Sequence, residues 1–448
     1  MRFSTKAFAA LAATGMCALG LAACGGSSDS SSGTAQAFDP NKNVTITVWQ
    51  PFTPGERESE VFDSVVADFE KLHPNVQVKT VAGVNDEKIV AAVRGGNAPD
   101  VALSFSSDNT GAFCSSGAWI NLQPYIDRDN VDINEFPAAV REYTEYNGTR
   151  CAMPLLADVY GLYYNKDMLA QAGITSPPKT ASELTADAQK LTQRSGDTIN
   201  VAGFDPSIGF YENAAAHYAP PWNAQWFNGD KSDVASPAWA NLLTWDKNLI
   251  DWYGYDNLQR FQAGAGEEFS ASNAFENGKL AMLLDGEYRT AFIKDEHPEL
   301  NYGTAPLPTA DDQQGRYGSG YITGSIMGIP KGSSNEAAAW EFVKYMTTNT
   351  DALVKLANGL ANVPTTAAAA SSPNLHLVPQ FQTFLDIFKN PNTETNPPKA
   401  SGAAYQELFE SFISKWEAGQ VSDLQSGLEG VASQIDAQEQ NASGGQAP

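Results

Sequence analysis

Basic residues are scarce in this chain: 28 Lys and Arg stand against 52 Asp and Glu, for a net charge of −24. Phosphate contacts need clustered Lys and Arg, so the balance argues against nucleic acid or anionic lipid as a partner and reads as a soluble, non-sticking surface. Histidine is rarer still. His73, His217, His297 and His376 are scattered without metal-ligand spacing. Also missing are a Gly-x-Ser-x-Gly elbow, a phosphate loop ending in Gly-Lys-Ser/Thr and a dinucleotide fingerprint. No catalytic residue, metal or cofactor is therefore expected. Carboxylates are so plentiful that a glycosidase pair among them carries almost no information. Near the start, Ala7 to Ala23 forms an apolar run without a single charge, and it falls short of a typical membrane span.

That run is informative in itself. Arg2 and Lys6 precede it, and it closes on Leu21-Ala22-Ala23-Cys24 followed by Gly25-Gly26. A basic start, an apolar stretch and small residues before a cut make a secretory signal over residues 1–23. The Cys at the first mature position resembles the bacterial lipoprotein signal, which implies cleavage before Cys24 and lipid, palmitate included, on the mature terminus. Gly25 to Thr34 is nearly all Gly, Ser and Asp, too polar for a core, so residues 24–40 read as a flexible tether. The expectation is an exported protein held at the outer face of the cell membrane by lipid alone. Cys17 leaves with the signal, and Cys114 and Cys151 remain as an even pair in an oxidising compartment, which points to a disulfide.

The whole chain is 42% apolar, with 22 Phe, 16 Tyr and 9 Trp, and the remainder beyond the tether has the composition of a folded body. Some 400 residues usually means two domains. Val44, Ile46 and Val48 alternate with Thr as in a half-buried strand. Val61, Val65, Phe69 and Leu72 recur at helical spacing up to His73-Pro74. Val76 and Val78 alternate again, Glu87–Arg94 reads as a short helix, and Val101-Ala102-Leu103 as a strand. This β-α-β-α-β order predicts a layered α/β lobe. A second series starts near Leu155, with a buried strand at Leu162-Tyr163-Tyr164 and a capping-box spacing at Thr180 and Glu183. Ala274–Asn277 is expected to end a helix at Gly278, and Leu280–Leu284 to form a strand. Tyr302–Pro308 is extended and suits a crossing between lobes. Residues 438–448 read as a polar tail.

Four ordered segments then carry a resemblance. They are Ala98-Pro99-Asp100-Val101 with Gly117 to Leu122; Met153-Pro154 with Asp158 and Gly161 to Asp167; Phe275 to Met282 with Gly286 and Tyr288; and Pro306-Leu307-Pro308, Gly318-Ser319-Gly320 and Gly328-Ile329-Pro330. The set resembles the extracytoplasmic solute-binding proteins of ABC sugar importers, the maltose-binding-protein-like family. That resemblance implies a periplasmic-binding-protein-like α/β fold, two lobes closing over a ligand by bending at a three-crossover hinge. The crossings would fall near Met153–Ala157, Tyr302–Pro306 and Gly359–Val363. Lobe 1 would comprise residues 41–155 plus 304–360, and lobe 2 residues 156–303 plus 361–437.

Site residues carried over by the resemblance are Tyr288, at a position where the family places an aromatic sugar platform, and Asp158, at an acidic crossover position. A ring face suits the C–H side of a pyranose, and a carboxylate accepts sugar hydroxyls. Ser107 and Asp108 match a polar cleft loop after the Val101 strand. Thr53 follows the first strand in the same way, with Phe52 beside it. Trp222 and Trp226, a helical turn apart, become stacking surfaces if their segment rims the cleft. Tyr321 sits in a Gly-rich loop before a strand. Tyr at 288 in place of Trp, and Ser104-Phe105 in the cleft loop, depart from maltose-binding protein and leave the ligand open. The chain is thus expected to be a monomeric receptor that binds a carbohydrate, an oligosaccharide first of all, and delivers it to ABC permease subunits. The alternatives are an anchored carbohydrate-active enzyme, or a receptor for a cationic or other non-sugar solute.

Overall fold

One strand organises the molecule. In the computed structural model, which describes residues 35–444, Ala152–Asn165 runs extended for 14 residues. At about 3.3 Å per residue that is roughly 46 Å, longer than either lobe needs for itself. The signal peptide, Cys24 and the tether up to Thr34 lie outside the described residues. Residues 35–40 lie against the body: Phe38 meets His73 edge-on with ring centroids 6.0 Å apart.

The main sheet has eight strands: β1 (Val44–Trp49), β2 (Val76–Val81), β3 (Val101–Ser104), β4 (Ala152–Asn165), β5 (Met282–Gly286), β6 (Tyr302–Ala305), β7 (Ile322–Gly328) and β8 (Val363–Pro364). Their order is β5-β4-β7-β3-β1-β2, with β6 and β8 also on β4. β1 pairs in parallel with β2 and β3, which the helical crossovers Arg57–Leu72 and Asp86–Arg94 make possible. β7 returns antiparallel between β3 and β4. The start of β4 belongs to this first lobe, where Ala152 faces Gly328. Its end belongs to the second, where Gly161 to Tyr164 lie between β5 and β6.

Local chemistry explains the element ends. Asn165 accepts from the backbone amides of Asp167 and Met168 and starts the helix Lys166–Gln171. Thr180 caps Ala181–Leu191 through the Glu183 amide at 3.3 Å, while the Glu183 carboxylate reaches back to the Lys179 amide rather than to Thr180. In Arg57–Leu72 the buried face is Phe62, Val65, Val66 and Phe69, and Leu72, in the last turn, is exposed.

Several expectations change. Ala274–Asn277 forms turns, closed by the Asn273 side chain on the Phe275 amide, and no helix precedes Gly278. The expected polar tail from 438 is helical through Gly444, as part of Leu424–Gly444, whose buried residues are Leu428, Val431 and Ile435. The second crossing does not lie at Tyr302–Pro306. β6 is a second-lobe strand on β4, and the chain beyond it bonds to second-lobe residues: Thr309 exchanges backbone bonds with Lys179 and Ala181, and Arg316 Nε donates to the Pro220 carbonyl at 2.6 Å. The chain enters the first lobe at Tyr321–Gly324, where Ile322 faces Val159. The other two crossings run through the middle of β4 and through β8, where Val363 faces Ala157.

A fourth connection was not anticipated. Residues 390–402 leave the second lobe, and Asn396 donates to Asp108 at 3.2 Å. A side chain on Gly111 would meet the Lys399 carbonyl oxygen at 2.1 Å, so only glycine allows this approach.

Cys114 and Cys151 form a disulfide with Cα atoms 5.5 Å apart, joining the short helix Thr110–Ser115 to the residue before β4. Among the described residues no helix is long and apolar enough to cross a membrane.

Candidate functional site

Three crossings set side by side leave a cleft whose floor is the hinge and whose walls are the two lobes. A cavity of about 670 Å³ opens there, within the range that holds small-molecule ligands. Its floor carries Asp158 and Tyr160 of β4 with Asn362, just ahead of β8. The first lobe contributes Phe52 and Phe105, 5.1 Å apart edge to face. Facing them from the second lobe are Tyr288, Phe269 and Phe292, with Phe269 lying 6.1 Å from Tyr288 and 5.8 Å from Phe292. Arg57 reaches from one lobe to Asp295 of the other at 3.3 Å across the rim.

Backbone constraints place the aromatic wall. Tyr288 follows the end of β5, where a side chain on Gly286 would meet the Tyr288 ring at 2.3 Å; glycine there lets the ring fold back over the strand. Beneath the wall Arg289 is fully buried. Its Nε donates to Asp285 at 2.6 Å and its Nη1 to Glu276 at 3.2 Å, and the guanidinium lies 5.4 and 5.1 Å from the ring centroids of Phe269 and Phe292. Burial pulls the guanidinium pKa down, but these carboxylates more than offset it and keep the group charged.

The floor is acidic and poorly solvated. Asn362 donates to Asp158 at 2.6 Å and to Glu287 at 2.9 Å, so one amide bridges two carboxyls. The other oxygen of Glu287 accepts from the Val159 amide at 2.6 Å. Burial pushes Asp158 up to about 7, against the pull of Asn362. Burial and then the Asp158 charge raise Glu287 well above the carboxylate range. Burial and Asp285 push Glu212 up to about 7, with the Tyr288 hydroxyl pulling the other way. A carboxyl poised near neutrality both donates and accepts, which suits a ligand bearing hydroxyls.

These shifts have a signed consequence. Raised carboxyl pKa values mean that the folded chain holds protons the unfolded chain has released, between about pH 4 and pH 7. Their contribution to stability is therefore full at low pH and lost as pH rises through the folded values. Asp158→Asn is expected to raise the melting temperature at pH 8 and to shrink its fall between pH 5 and pH 8. An unchanged difference between variant and parent across that interval would refute the assignment.

The structure brings together Asp158 and Tyr288 and separates the other expected residues from them. Thr53 is exposed beside Phe52, and Phe52 rather than Thr53 lines the cavity. Ser107 is buried against Thr323 of β7 at 2.8 Å, and Asp108 is held by Asn396; both join lobe 1 to its neighbours instead of lining the cavity. Trp222 and Trp226 do not rim the cleft. Trp222, the last residue of the helix Ala215–Trp222, packs on Trp245 of Pro237–Tyr253, and Trp226, beyond that helix, packs among Trp239, Tyr405 and Phe409. Tyr321 is buried, accepts from Asn396 at 2.8 Å, and stands behind the floor. Tyr160, Glu212, Phe269 and Asn362 were not anticipated. Phe269, an exposed aromatic within a Gly-, Glu- and Ser-rich stretch, is the one that composition could have flagged.

Known proteins share the fold. A family model described as bacterial extracellular solute-binding protein matches residues 53–352. The maltotriose-binding protein of Pyrococcus abyssi is 23% identical over 341 residues, covering 76% of this chain and 70% of that protein. The maltodextrin-binding protein MdxE of Bacillus subtilis is 27% identical over 317 residues, 68% of each. Among solved structures, CpMnBP1 with mannotriose bound is 27% identical and superposes with a TM-score of 0.75, covering 88% of this chain and 100% of that one.

Proposed function

This chain belongs to the bacterial extracellular solute-binding proteins, and on that premise we propose that it captures a carbohydrate, an oligosaccharide first of all, in the cleft between its lobes and hands it to the permease of an ABC importer. The observation that carries this reading is the pairing of opposed aromatic walls, Phe52 and Phe105 against Tyr288 and Phe269, over the Asp158 floor. Sugar rings present an apolar C–H face and a girdle of hydroxyls, and such a cleft meets both. Relatives named for maltotriose, maltodextrin and diacetylchitobiose support the class of ligand. Mechanistically, the ligand seats on one lobe, the hinge strands bend, and the second wall closes over it. Desolvation on closing strengthens each hydrogen bond to the Asp158 and Glu212 carboxyls. The protein's part is recognition and delivery rather than bond making. The same reading keeps Cys24 as the lipid-bearing residue, the following Gly/Ser stretch as the tether, and a monomer as the working unit.

Isothermal titration with linear α-glucans, β-mannosides and chitooligosaccharides tests the proposal. At least one series is expected to bind, and Tyr288→Ala to weaken it by about 10- to 100-fold, the loss typical of a stacked aromatic anchor. Binding of amino acids or polyamines, with no response to any saccharide, would sink the carbohydrate reading. The polyamine outcome has its own support. Asp158, Glu212, Glu58, Asp295 and Glu296 line the cavity beside a single cation, Arg57, which Asp295 already pairs.

A further inference from the structure

The cleft is lined by acid from both lobes. Glu58 comes from the first lobe and Asp295 and Glu296 from the second, with Asp158 and Glu212 beside them. Arg57 is the single cation in that lining. Lys294, the basic residue in the last turn of the helix Arg289–Glu296, stays outside it. The lobes therefore close against like charge unless something offsets it. Arg57 bridges to Asp295 at 3.3 Å over a sequence separation of 238. Among the described residues no other ion pair joins the two lobes.

Both partners sit where their own helices disfavour them. Arg57 is the first residue of Arg57–Leu72, where unpaired backbone amides form the positive end of the helix dipole. Asp295 stands in the last turn of Arg289–Glu296, at the negative end. Their neighbours follow the usual rule, with Glu58 and Glu60 in the first turn of one helix and Lys294 in the last turn of the other. Among the described residues neither side chain has another ion-pair partner. Two charges that local preference argues against thus find their compensation in each other, across the cleft.

We infer that Arg57 is a positioning residue for lobe closure, the cation that draws two acidic lips together and latches them through Asp295, a role that rests on the cleft closing by hinge bending as proposed above. The two side chains are 48% and 59% exposed, so water and salt screen the latch. It is a light, reversible hold, suited to a receptor that must also let its solute go. Without Arg57, Glu58 of one lip and Asp295 and Glu296 of the other have no counter-charge between them, and attraction gives way to repulsion.

Single-molecule energy transfer on the full chain without ligand tests this, with dyes attached through unnatural amino acids at positions 71 and 259, exposed sites in different lobes. In 20 mM salt, Arg57→Ala is expected to lower the ratio of closed to open molecules by about three- to tenfold. Asp295→Asn is expected to lower it less, because it also removes a like charge from the second lip. In 0.5 M salt the gap between parent and Arg57→Ala should shrink to within about twofold, since the lost attraction and the repulsion left behind are both screened. The charge swap Arg57→Asp with Asp295→Arg is expected to restore the parent ratio, and it places each charge at the helix end that favours it. Circular dichroism of each variant confirms that it is folded. Equal ratios for parent and Arg57→Ala in 20 mM salt, a gap that salt leaves unchanged, or a swap that restores nothing overturns the latch. Saccharide binding by the parent chain decides the ligand separately, so the two can fail independently.

Discussion

Replacing Arg289 by methionine is expected to cost about 3–5 kcal/mol of folding stability, the typical loss when one partner of a buried ion pair is removed. Arg289 is fully buried and bonded to Asp285 and Glu276, whose side chains are themselves buried. Without the guanidinium, two carboxylates remain in a poorly solvated interior with no counter-charge. They must then take up protons or draw in water. Phe269 and Phe292 rest on the same guanidinium, so the aromatic wall of the cleft loosens as well. Urea unfolding measures the first effect and ligand titration the second. Arg289→Met with Asp285→Asn is expected to recover part of the loss, because one of the stranded charges is gone. Arg289→Lys is not a mild change here, since an ammonium cannot span both carboxylates and the two rings. A single-variant loss below about 1 kcal/mol would show that the pair is dispensable.

Removing the disulfide is expected to cost about 3–4 kcal/mol by loop entropy, for the 37-residue separation that Cys114–Cys151 closes. The bond joins the helix Thr110–Ser115 to the residue before β4. Neighbouring Ser107 and Gly111 make the contacts of lobe 1 with Thr323 and with Lys399. The Cys114→Ala, Cys151→Ala double variant is therefore expected to melt earlier and to bind ligand less tightly, as the first wall loses its register to the hinge. Thermal melts with and without reductant check the parent against the variant. Reductant should lower the parent's melting temperature and leave that of the double variant unchanged.

How much of this was legible beforehand depends on the range of the interaction concerned. The strands Val44–Trp49 and Val76–Val81 and the helices around them follow from alternation and helical spacing, which are local. Asp158 and Tyr288 were reachable through ordered motifs and do stand in the cleft. Trp222 and Trp226 stay open between rim and core in the sequence, because tryptophan suits both a sugar platform and a core and composition cannot separate the two. Packing against Trp239, Trp245 and Phe409 is what decides it. The crossing at Tyr321–Gly324 was misplaced because Pro306-Leu307-Pro308 looks extended whichever lobe supplies its hydrogen bonds.

By itself, then, the sequence determined the alternation of strands and helices, the acidity, the paired cysteines and the family. Each is a property of residue type and order along the chain. Only the tertiary structure decided which aromatics form walls and which fill cores, which carboxyls share Asn362, and that a fourth connection ties residues 390–402 to Gly111. Those depend on groups up to 288 positions apart, Asp108 and Asn396 among them, meeting across a hinge. Burial at such meetings sets their chemistry, and no local pattern encodes it.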